Sequence, residues 1–96
     1  MLGIVLRPQA LHDLEAIGRF IGADNPKRGE SYVQELHTFI DGLADFPHIY
    51  PAVPELDDAR LAQYGKYHIY YRITATQLFV VRVLHSARDI AKNFNT

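Results

Sequence analysis

Ninety-six residues, 48% of them apolar, suffice for one hydrophobic core and are too few for two, so a single domain over residues 1–96 is expected. The absence of cysteine excludes disulfides and thiolate metal sites; no run approaches the ~18 apolar residues of a membrane span, and no basic stretch leads into an apolar one, so the expected location is the cytoplasm. The formal charge of -1 conceals two opposite halves: residues 1–59 carry ten acids and four bases, residues 60–96 six bases and one acid, which points the C-terminal part toward an acidic partner.

Gly3 to Arg7 is a short apolar run of strand type. From Pro8 the period changes, and Leu11, Leu14, Ile17 and Ile21 recur at helical spacing with His12, Asp13, Glu15 and Arg19 opposite. This predicts a helix over residues 8–22, begun by a proline whose missing amide is no loss in a first turn. Asp24-Asn25-Pro26 is a stop and restart, with Asn25 as cap. A second helix follows on the stripe Tyr32, Val33, Leu36, Phe39, Ile40 and Leu43, ended by Phe46-Pro47. So short a connection makes the helices antiparallel neighbours, and their apolar stripes then require a sheet to cover them.

Residues 47–58, with three prolines and Asp57-Asp58, are expected to form no regular element and to run over the surface. Ala59 to Ala62 is a candidate short strand. Residues 67–73 and 78–84 alternate as the two strands of a hairpin broken at Thr74-Ala75-Thr76. A three-residue loop there pairs Ile73 with Gln77, Tyr71 with Phe79, Ile69 with Val81 and Tyr67 with Val83, giving an almost wholly apolar face for the helices. The other face then holds Lys66, His68, Tyr70, Arg72, Leu78, Val80, Arg82 and Leu84, a mixed surface suited to a partner. The fold class is therefore α+β: an N-terminal strand and an antiparallel two-helix hairpin packed on one face of a small, mainly antiparallel C-terminal sheet.

Five segments in this order resemble the RelE/ParE toxin superfamily, and the resemblance covers nearly the whole chain. They are Ala10-Leu11-His12-Asp13-Leu14-Glu15-Ala16-Ile17; Asn25-Pro26; Phe46-Pro47 with Tyr50-Pro51; Tyr64-Gly65-Lys66-Tyr67-His68-Ile69-Tyr70-Tyr71-Arg72; and Arg82-Val83-Leu84-His85-Ser86-Ala87-Arg88-Asp89. The last is similar to the ending of the ParE-like branch. The resemblance implies the toxin of a type II toxin-antitoxin pair, held in a hetero-oligomer by a ParD-like antitoxin, with DNA gyrase as the target. The alternatives are a RelE-like ribosome-dependent messenger RNA endoribonuclease, or a degenerate toxin that only binds its antitoxin. One scaffold serves both active branches, so fold does not choose between them.

A nuclease of this kind needs acid, base and charge-stabilising groups, for which His68, Arg82 and His85 are the candidates. No carboxylate joins them on the expected face, and the chain is slightly acidic, so catalysis is not the favoured reading. His85 shares the parity of Phe79, Val81 and Val83, which suits a core histidine as well as a functional one. Ser86 and Asp89 could cap a short terminal helix. Antitoxin contacts are assigned to Arg60, Tyr70, Arg72, Arg82 and Arg88, because guanidinium-carboxylate pairs are specific as well as favourable, and target contacts to His85, Arg88 and Lys92. His12, His37 and His48 have no metal-binding spacing, so neither metal nor cofactor is expected. The tyrosines, divided by alternation between two faces, make a poor platform for single-stranded nucleic acid.

Overall fold

The structure, a computed structural model, describes residues 2–87. Its elements are β1 (Gly3–Leu6), α1 (Pro8–Gly22), α2 (Pro26–Leu43), β2 (Ala52–Val53), a single 3-10 turn (Pro54–Leu56), β3 (Ala59–Tyr64), β4 (Tyr67–Ile73) and β5 (Gln77–His85). The five strands form one sheet in the order β1-β5-β4-β3-β2, antiparallel except for the parallel pair β1-β5. This is the α+β arrangement that the hydrophobic periods demand.

The helices start where their prolines put them. Asn25 accepts a hydrogen bond from the Arg28 amide at 3.1 Å and so satisfies one of the orphan donors of α2. Ala10, Leu14 and Ile17 of α1 and Leu36, Ile40 and Leu43 of α2 are buried against Tyr67, Ile69, Tyr71, Leu78, Val80 and Val83 of the sheet. The helices cross closely because their contact is made of glycine: a Cβ built on Gly29 would lie 2.6 Å from the Gly18 carbonyl oxygen and 2.8 Å from the Gly22 Cα. α2 stops at Leu43, earlier than Phe46-Pro47.

The hairpin differs from its expected register. Ile73 pairs with Leu78, Arg72 with Phe79 and Tyr71 with Val80 rather than with Gln77, Leu78 and Phe79. Thr74 causes the shift. Its amide bonds the Gln77 carbonyl at 2.8 Å while its Oγ1 accepts from the Gln77 amide at 3.0 Å, so Thr74 lies opposite Gln77, the first residue of β5, and the loop shortens to Ala75-Thr76. A bulge between Tyr70 and Tyr71, where Val81 has no Cα partner, then reverses the parity of β5. Leu78 and Val80 face the helices before it, Val83 after it. Phe79 lies under Arg7 instead, and Val81 packs on the opposite face.

That opposite face is not the open surface expected. Leu56, Ala59, Tyr70 and Leu84 form a second buried cluster, flanked by Val53, Leu61 and Val81, because residues 53–56 fold back over the sheet. The prolines of residues 47–58 permit β2 and the 3-10 turn, and β3 runs two residues beyond Ala62. The proposed terminal helix capped by Ser86 and Asp89 lies outside the described residues.

Candidate functional site

β1 pairs with β5 only as far as Val80, so beyond that point β5 has a bare edge on one side. α1 crosses there and presents Asp13. Its carboxylate accepts from Arg82 Nε at 2.8 Å, Arg82 Nη2 at 3.0 Å and the Val83 amide at 2.9 Å. One side chain thus takes the place of the missing strand. The pair is nearly sealed, with 9% and 10% of the Arg82 and Asp13 side chains exposed, and the hydrogen bond to Asp13 raises the Arg82 pKa against the opposing effect of burial. Arg82, expected on an open face, stands opposite Tyr70 but is buried there, with its guanidinium held by Asp13.

Tyr70 is likewise without exposed surface, and burial pushes its phenol up to about 12. Arg60 and Arg72 are half-buried and turned to backbone. Arg60 donates to the carbonyl of Tyr50, and Arg72 to those of Leu56 at 3.2 Å and Asp57. Asp57 and Asp58 both adopt positive φ, 55° and 62°, so Arg72 braces a strained turn. The two guanidiniums, with His48 and the two aspartates, line a polar cleft of about 520 Å³.

The three candidate nuclease residues occupy separate surroundings. His68 Nδ1 lies 3.3 Å from the Tyr70 hydroxyl; Arg82 is engaged by Asp13. His85 packs edge-on against Tyr67, with ring centroids 5.5 Å apart, and its Nδ1 accepts from the Ala87 amide at 3.1 Å, which puts its proton on Nε2 in the neutral form. Next to it a groove of about 500 Å³ runs between α1 and the end of β5, walled by Ile17, Val83 and the 76% exposed Phe20. Arg88 and Lys92 lie outside the described residues.

Sequence reasoning missed Asp13, because helical spacing assigns it to the solvent side of α1 and nothing local announces a partner 69 residues away. It missed a second polar group as well: Glu35 accepts from Arg28 and, at 2.8 Å, from the Tyr64 hydroxyl, and these two bonds lower its pKa. The cluster fastens α2 to the β3-β4 turn. Among the described residues no group of His, Asp or Glu could hold a metal ion, and no helix is long and apolar enough to cross a membrane.

No curated protein matches the sequence significantly. Among solved structures, one described as the chromosomal ParDE TA system from P. aeruginosa is similar in fold, with a TM-score of 0.75 at 17% identity, over 88% of this chain and 96% of that one. The family model described as the ParE toxin of the type II toxin-antitoxin system parDE matches residues 4–90. With the helical hairpin, strands β2 to β5 and all but the first residue of β1 inside that span, the chain belongs to the ParE toxin family of type II toxin-antitoxin systems.

Proposed function

We propose that this toxin acts by binding DNA gyrase, without chemistry of its own, and is neutralised in a hetero-oligomer by a ParD-like antitoxin in the cytoplasm. The family match over residues 4–90 carries this reading. It is supported by the state of Arg82, the phosphate-stabilising candidate of the nuclease alternative: a guanidinium held at 2.8 Å by a nearly buried carboxylate is committed to the fold.

Arg60, Arg72 and Arg88 are assigned to antitoxin carboxylates, and His85, Arg88 and Lys92 to the target. Tyr70 and Arg82, which expose almost no surface, serve the antitoxin contact as supports beneath it. Purified toxin added to gyrase and supercoiled plasmid should produce linear, cleaved DNA, and the antitoxin should suppress it. Unchanged gyrase activity at excess toxin, accompanied by new messenger RNA ends after induction, would transfer the assignment to the nuclease branch. A chain that is harmless when expressed without its antitoxin would be a degenerate member.

A further inference from the structure

The loop after α2 leaves an apolar groove uncovered. Phe46 and Ile49 are 70% and 69% exposed and, with Phe39, Gly42 and Tyr50, line a groove of about 260 Å³. Its walls are held in place. The Ile49 amide bonds the Phe46 carbonyl at 3.2 Å, the buried Tyr71 hydroxyl donates to the Pro47 carbonyl at 2.8 Å, and the Phe39 and Tyr50 rings pack with centroids 6.5 Å apart. Single exposed apolar side chains are ordinary, but two that share one preformed groove mark a contact for another molecule. Gly42 is the second sign. It lies within α2, has no positive φ to require a glycine, and a Cβ there would meet nothing within 4 Å. Neither backbone nor internal packing therefore accounts for a residue that weakens a helix relative to alanine; what it provides is depth in the groove.

The charge around the groove selects the occupant. Residues 29–59 hold seven acids and no lysine or arginine. Asp41 and Asp45, which directly precede Gly42 and Phe46, are exposed and have no ion pair among the described residues. Such a rim repels nucleic acid, and equally an antitoxin segment whose acids match the basic C-terminal half. A second copy of the chain meeting the groove about a two-fold axis would set Asp41 and Asp45 against their own images. The rim fits a protein surface that brings lysine or arginine on either side of an apolar side chain.

We propose that this groove is a contact surface for the toxin's target, in addition to the basic C-terminal residues. An apolar side chain of the target enters between Phe46 and Ile49 above Gly42, and its basic neighbours meet Asp41 and Asp45. This rests on the reading of the chain as a gyrase-binding toxin, so the surface that enters is gyrase's.

Binding of the full chain to gyrase holoenzyme, with cleavage of supercoiled plasmid as a second readout, tests it. Phe46→Ser and Ile49→Ser should each weaken binding about tenfold, and Asp41→Lys with Asp45→Lys by about as much. Wild-type affinity should fall as salt rises, and Asp41→Asn with Asp45→Asn should flatten that fall. Gly42→Ala separates contact from fold: it should raise the Tm yet weaken gyrase binding about threefold or more, because the methyl fills the groove floor. Variants that bind and poison gyrase as the wild type does overturn the groove contact and leave the gyrase reading standing. Loss of binding to the antitoxin encoded beside the toxin, in the same folded variants, gives the groove to the antitoxin and overturns the proposal. Self-association of the toxin that Phe46→Ser abolishes gives it to a second copy and overturns it too. A wild-type toxin that leaves gyrase unbound refutes the gyrase reading, and this contact with it.

Discussion

Asp13 and Arg82 make the most consequential side-chain contact in the molecule, because neither is exposed enough to be served by water once the other is gone. Arg82→Met leaves the Asp13 carboxylate with the Val83 amide but without its countercharge and should cost about 3–5 kcal/mol in urea unfolding, whereas Asp13→Leu with Arg82→Met should recover only part of that loss, because the Val83 amide then lacks its acceptor. Arg82→Glu, the obvious charge reversal for probing the antitoxin, would therefore report unfolding before it reported binding. Gly65 gives a second test at this scale. It sits at φ 57°, and a Cβ there would lie 2.6 Å from the Tyr32 hydroxyl. Gly65→Ala should cost about 1–2 kcal/mol for its backbone alone and more for the collision, and Tyr32→Phe in the same chain should return only the collision part of the Tm loss. The helix cap at Asn25 and both helix-opening prolines were legible in the sequence, since each acts within one turn. The partner of Arg82 was not, since the contact spans 69 residues.

At the scale of elements, both helices, both hairpin strands and the N-terminal strand follow from hydrophobic period alone. The hairpin register did not follow, because Thr74 bonds Gln77 across a shortened loop and the bulge at Val81 then joins two parities within one strand. Apolar residues of either parity along β5, Leu78 and Val80 as well as Phe79, Val81 and Val83, left both registers plausible on pattern. Thr74→Val should remove the turn's side-chain acceptor, costing about 1 kcal/mol by thermal unfolding. The helical hairpin offers a matched pair. Gly29→Ala forces α1 and α2 apart and should lose about 1–3 kcal/mol, while Gly42→Ala, with nothing within 4 Å of the new methyl, should gain about 0.5–1 kcal/mol. Equal losses at the two positions would contradict the close helix crossing. The cover over the second face was illegible for a simple reason: three prolines announce the end of regular structure but not that Leu56 turns inward.

For the whole molecule, tyrosines buried in both layers set the alkaline limit. Tyr70 is raised to about 12, and Tyr67 and Tyr71 are raised by burial as well. Raised phenols favour the protonated native state, so stability is fully present below the ordinary value near 10 and should drain away as pH rises toward 12. Melting followed from pH 9 to 12 should show that fall, and Tyr70→Phe should make it shallower; a flat profile would mean that the phenols are solvated. The parallel pairing of β1 with β5 reaches further, into the birth of the protein. Among the described residues, the first strand finds its one strand neighbour in the last, and the clasp on α1 waits for residues 82 and 83. During translation the helical hairpin can emerge and collapse, yet its sheet cannot close until β5 has left the ribosome. Synthesis interrupted before Leu78 should therefore yield fragments with no native fold to threaten the cell that makes them.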